Sequence, residues 1–137
     1  MRIACCQFDI AWEDKPANYR HVAGLVRDAR LEPDTLLLLP EMFATGFSMN
    51  VAATVEPLDG PTARFLSELA SEHRIHIIGG AVITDAATGK PRNEALTFDP
   101  DGRLSAHYAK VYPFSPSREH EYYAAGRHVV PLSLIHI

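Results

Sequence analysis

The stretch Asp34-Thr35-Leu36-Leu37-Leu38-Leu39-Pro40-Glu41-Met42-Phe43 decides how the rest of the chain is read. Four successive leucines have no polar face, which suits a strand covered on both sides. Pro40 cannot donate to a ladder and ends the strand. Glu41 therefore stands at the C-terminal end of a buried strand, where ligands bind in open α/β sheets. A carboxylate held there in a poorly solvated place is suited to general-base work. The plainer reading is a loop cap or ion-pair partner.

Before the leucines, residues 2–9 read as a first strand, and Trp12 to Lys15 as a polar connection. Pro16 suits a first helical turn. Val22, Leu25, Val26 and Ala29 recur at helical spacing, so a helix is expected from Pro16 to Arg30 with one stripe on a sheet. Strand, helix and leucine strand form a βαβ unit with parallel strands.

Beyond Glu41, residues 44–50 read as a loop in which Gly46 gives the backbone freedom. Asp59-Gly60-Pro61-Thr62 starts a second helix with Phe65, Leu66, Leu69 and Ala70 inward, ending near His73. Ile75 to Ile78 reads as a short buried strand closed by Gly79-Gly80. Three further strands are expected at 81–84, 93–98 and 103–109. Turn signals at 85–92 and Asp99-Pro100-Asp101-Gly102 make them antiparallel neighbours. The expected product is one α/β domain with about six strands and both helices on one face of the sheet. From Lys110 to Gly126 the chain is irregular and rich in aromatic and charged residues, which suits a pocket wall.

At 137 residues the chain is long enough for one domain with a real core. A net charge of −4 gives no basic footprint for nucleic acid. The longest apolar runs are too short for a bilayer, and Asp9 interrupts the N-terminus before any signal-like core. A cytoplasmic protein with no membrane partner is expected. Cys5 and Cys6 are adjacent on the first strand, point to opposite faces and read as buried small hydrophobes. His73, His76, His107, His120 and His128 raise a metal enzyme as a rival, but no His-Glu-x-x-His or Cys-x-x-Cys spacing occurs. No metal or cofactor is expected.

Lys110 stands at a strand end like Glu41, where a lysine can stabilise an oxyanion. Glu119 is a candidate third member. Taken one at a time, each also reads as a solvated surface charge. Together they resemble the nitrilase superfamily of carbon–nitrogen hydrolases, over nearly the whole chain. Leu39-Pro40-Glu41-Met42 is similar to that family's glutamate motif, and Tyr108-Ala109-Lys110-Val111-Tyr112-Pro113-Phe114 to its lysine motif. Glu119, seven residues before Gly126, is similar to its second glutamate. Asn93 and the Asp-Pro-Asp-Gly turn also fit. The wording of 41–47, with Phe114, Glu119, His120, Tyr123 and Gly126, is most similar to the omega-amidase branch.

The resemblance implies the N-terminal half of an αββα sandwich and a Glu-Lys-Cys amidase acting on a small-molecule amide. Glu41 would be the base and Lys110 the oxyanion stabiliser, and Glu119 would position the substrate and the other polar groups. It also implies a homo-oligomeric full-length protein. The family's nucleophilic cysteine belongs on an elbow some tens of residues after the lysine, and this chain has none there. Residues 1–131 are accordingly expected to be a hydrolase domain truncated before the elbow. Residues 132–137, Leu-Ser-Leu-Ile-His-Ile, resemble a translated sequencing adapter and are set apart as a non-native tail; an apolar terminal strand is the alternative. The rival functions are another amidase or carbamoylase of the same family, and an inactive partner that works only by association.

Overall fold

The computed structural model describes residues 2–134. Six strands form one sheet: β1 (Ile3–Cys5), β2 (Leu36–Leu38), β3 (Val55–Glu56), β4 (His76–Thr84), β5 (Pro91–Phe98) and β6 (Leu104–Ala109). The order is β1-β2-β4-β5-β6, with β3 alongside β4. The β1–β2, β2–β4 and β3–β4 pairs are parallel, whereas β4–β5 and β5–β6 are antiparallel. The helices are α1 (Lys15–Ala29), α2 (Val51–Thr54) and α3 (Pro61–His73).

Local chemistry explains the long helices. Asp14 caps α1 by accepting from the Ala17 N–H at 2.9 Å, and both α1 and α3 carry proline in the first turn. Each ends on an arginine in the left-handed region, Arg30 and Arg74. As expected, α1 and α3 lie on the same face, joined by stacking of Tyr19 on Phe65 at 4.6 Å. Val22 and Val26 of α1 and Leu66 and Leu69 of α3 share one core with Leu37, Ile77 and Leu96 of the sheet.

The structure corrects several expectations. The leucine strand is covered by helices on one face only, and Leu38 is half-buried. In α1 the buried positions are Asn18, Val22 and Val26, while Leu25 and Ala29 are exposed. The first strand is three residues long rather than eight, and it is the sheet's edge. Cys5 is therefore exposed rather than buried, Cys6 is half-buried, and both are free thiols. Burial pushes the Cys6 thiol pKa up.

Two expected strands, 75–78 and 81–84, are one continuous β4. Gly79 and Gly80 permit close packing there and do not end the strand. A Cβ on Gly79 would lie 3.0 Å from the Leu66 methyls, and one on Gly80 only 2.6 Å from the Met42 amide nitrogen. The sixth strand is instead the two-residue β3, which follows the unforeseen α2. β2 pairs with the first half of β4 and β3 with the second half. The turn carrying Glu41 lies between these two pairings, packed on Gly80. The reading of 132–137 as a non-native tail falls in part on residues outside those described. Among the described residues, no helix is long and apolar enough to cross a membrane.

Candidate active site

The site is built where four segments meet above the middle of β4. The first is the turn after β2. Met42 has φ +49°, a left-handed conformation that a bulky residue adopts only when its surroundings enforce it. Its side chain is buried with Val82 and Tyr123, and its carbonyl accepts from the Thr45 and Gly46 amides. Buried Asn18 donates to the Ala44 carbonyl at 2.7 Å and ties the same turn to α1. Glu41 is thereby presented by a rigid backbone.

The second segment is the middle of β5. Asn93 pairs across the sheet with Val82. The third is the end of β6, where the Lys110 amide donates to the Asn93 carbonyl at 2.9 Å. The fourth is a pair of 3-10 turns, Ser115–Ser117 and Glu119–Glu121. Arg118 between them has φ +58°, which turns Glu119 inward, and Glu119 is fully buried.

All three candidate residues come together. Lys110 Nζ lies 2.8 Å from Glu41 Oε1 and 2.8 Å from Glu119 Oε2. Glu119 Oε2 also accepts from the Phe114 amide at 2.6 Å, and Asn93 Nδ2 donates to Glu119 Oε1 at 2.9 Å. The same Nδ2 donates to Glu41 Oε1 at 2.6 Å. Burial works against the Lys110 charge, but the two carboxylates outweigh it and hold its pKa above the ordinary lysine value. Burial likewise works against the Glu119 anion. Hydrogen bonds from Lys110, Phe114 and Asn93 outweigh it and hold the carboxyl below its usual range. The cluster is an ammonium between two carboxylates, with one net negative charge.

Glu41 departs from expectation in one respect. Its side chain is 50% exposed, not enclosed, because the sheet face it borders carries no second layer in this chain. It lines an open cavity of about 330 Å³ with Leu39, Ile78, Asn93, Tyr108 and Lys110. Larger cavities lie beside α3 and at the outer side of β5–β6, and Lys110 borders neither. The irregular segment does form one wall: Phe114 meets Phe47 edge-on at 6.3 Å, and Lys110 Nζ stands 5.0 Å over the Phe47 ring. Tyr112 points away and is almost fully exposed.

Sequence reasoning left three residues without a role. Asn93 bridges two carboxylates. Phe47 lies under the lysine. Tyr123, fully buried, donates its hydroxyl to the Ser48 carbonyl at 2.5 Å and pairs with Thr54 at 3.0 Å. The Tyr123 amide donates to the Glu119 carbonyl, so one side chain joins the Phe47 loop to the Glu119 turn. The available signal was a polar residue, Asn93, at the start of the expected strand that closes on Ala-Leu-Thr-Phe. The histidines do not converge: His107 pairs with Glu94 at 2.8 Å, and among the described residues no group of three or more His, Cys, Asp or Glu side chains could hold a metal.

Comparison with known proteins identifies the family. The family described as carbon-nitrogen hydrolase matches residues 2–137. An omega-amidase of Yersinia enterocolitica is 32% identical over 93% of this chain and 47% of its own length. A 2-oxoglutaramate amidase of Bacillus subtilis is 28% identical over 90% of this chain and 48% of its own. The chain thus spans about half the length of these relatives. Among solved structures, a CN-hydrolase superfamily protein from Xanthomonas campestris, with an arsenic adduct in its active site, superposes with a TM-score of 0.87. It is 30% identical, and the match covers 96% of this chain and 48% of that one. The fold is accordingly part of the nitrilase-type α/β architecture, and the chain belongs to the carbon–nitrogen hydrolase family.

Proposed function

We propose that this chain is the Glu- and Lys-bearing half of an amidase that hydrolyses a small omega-amide, of the 2-oxoglutaramate type, to acid and ammonia. The observation that carries the reading is Lys110 Nζ held 2.8 Å from both Glu41 and Glu119 at the mouth of a cavity. The names of the relatives, omega-amidase and 2-oxoglutaramate amidase, support the substrate class. A cysteine from sequence beyond residue 137 supplies the nucleophile. Glu41 takes the thiol proton, and sulfur attacks the amide carbon. Lys110 faces the developing oxyanion, its charge maintained by the two carboxylates. Ammonia leaves, and water activated by Glu41 hydrolyses the thioester. Glu119, buried and hydrogen-bonded through both oxygens, positions Lys110 and takes no proton.

The test is ammonia release from 2-oxoglutaramate by the chain extended through its second half. Glu41→Gln and Lys110→Ala should each lower kcat on the order of a hundredfold or more. Turnover of carbamoyl compounds in place of omega-amides would reassign the substrate. A folded extended protein that turns over neither would leave association as its role.

A further inference from the structure

The two carboxylates of the site are not used alike, and the difference lies in single atoms. Among the described residues, Glu41 accepts two hydrogen bonds, both on Oε1: from Asn93 at 2.6 Å and from Lys110 at 2.8 Å. A carboxylate oxygen offers two lone pairs in its plane, so Oε1 is full. Nothing described here donates to Oε2. Glu119 uses both oxygens, Oε1 for Asn93 and Oε2 for Lys110 and the Phe114 amide, and it is buried beyond reach of a substrate.

Asn93 creates this asymmetry. Its one Nδ2 carries two protons, and each goes to a different carboxylate. Its backbone carbonyl receives the Lys110 amide. A hydroxyl side chain has one proton to give, and a carboxylate has none, so neither can replace that bridge. Asn93 sits in the antiparallel core of the sheet opposite Val82, where its backbone cannot drift.

We propose that Asn93 is a positioning residue which commits Oε1 of Glu41 to the cluster and leaves Oε2 as the oxygen that moves protons. This rests on the amidase reading above. In the first step the cysteine S–H bond breaks, its proton goes to Oε2, and the sulfur electron pair forms the C–S bond. The proton on Oε2 then passes to the departing nitrogen, and ammonia leaves. In the second step a water proton goes to Oε2 while the hydroxyl adds to the thioester. The C–S bond breaks, and the thiolate recovers that proton. Lys110 keeps its own protons throughout.

The experiment uses the chain extended through its second half. Asn93→Leu keeps the side chain's approximate volume and removes both donors. It should lower kcat for an omega-amide about 10- to 100-fold with KM changed less than about threefold, and it should lower the thermal midpoint as well, because buried Glu119 Oε1 loses its donor. A crystal structure of the unsubstituted extended protein supplies a second measurement that needs no variant to fold. There the cysteine sulfur should lie within hydrogen-bond reach of Oε2 and farther from Oε1. Sulfur bonded to Oε1, or a folded Asn93→Leu protein with kcat within about twofold, overturns the inference and leaves the amidase reading standing. An extended protein without amidase activity overturns both.

Discussion

At Glu119, burial and charge oppose each other, and the hydrogen bonds decide the outcome. An isolated carboxylate would be neutral in that place; three donors keep it ionised. Its folded pKa is lower than its ordinary value of 4.5. It therefore contributes stability that is present above pH ~4.5 and is lost as the pH falls through the depressed folded value. Glu119→Gln should abolish that part of the acid dependence. It also turns an amide N–H or a weaker acceptor towards Lys110 and the Phe114 amide, at a cost of about 1–3 kcal/mol near neutral pH. Thermal midpoints of both proteins between pH ~3 and ~7 would check this, the two curves converging at the acid end. Curves that stay parallel would refute the assignment. Lys110 works in the opposite sense. Its raised pKa gives stability that is complete below the ordinary lysine range and is lost as the pH rises through the folded value.

Among the elements, the contact between the Glu41 turn and β4 does most to shape the site. Gly80→Ala would place a methyl 2.6 Å from the Met42 amide nitrogen and 3.2 Å from the Glu41 Cα, both backbone atoms. The turn must move, and a cost of about 1–3 kcal/mol or more follows. Gly24→Ala, inside α1, meets only the far end of Arg27 at 3.9 Å and should stabilise by about 0.5–1 kcal/mol. Urea unfolding of the two variants should move the midpoint in opposite directions; a neutral Gly80→Ala would refute the close packing. The same glycines show where the sequence could be read and where it could not. Apolar periodicity at 3.6 and turn residues such as Asp99-Pro100-Asp101-Gly102 act locally, so α1, α3 and the β5–β6 turn were legible. Gly79-Gly80 looks like a strand end in sequence because the atoms that require it, Leu66, Phe43 and Met42, are distant along the chain. Residues Val55–Glu56 pair with β4 for the same non-local reason, and two residues carry no period. In the site, Glu41 and Lys110 are legible as charged residues at strand ends, and the resemblance to the family joins Glu119 to them; the structure brings the three side chains together. The bridge from Asn93 depends on side-chain geometry that no spacing encodes, and the half-exposure of Glu41 on what the sheet face lacks.

For the whole molecule, the decisive feature is that face. The helices cover the side bearing Leu37, Ile77 and Leu96, so the alternate residues Ile3, Leu38, Ile78, Ala95 and Ala106 lie on the other. Ile3 is 59% exposed, and Leu38, Ile78, Ala95 and Ala106 are half-buried. β1 and β6 are both edges, with backbone groups open to pairing. Contiguous apolar surface with open edges drives association. We expect residues 1–137 expressed alone to elute as oligomer or aggregate, and to release no ammonia from an omega-amide. On the proposed mechanism the reason is chemical, since its thioester step needs a thiolate beside Glu41 and Lys110. Cys5 ends β1 and Cys6 directly follows it, at the far edge of the sheet beyond β2. The comparison is the chain extended through its second half, which should be soluble and active. Size-exclusion chromatography and an ammonia assay on both proteins decide the matter. A monomeric 137-residue protein that turns over the amide would overturn the assignment of the nucleophile to sequence beyond this chain, and the role of the open face with it.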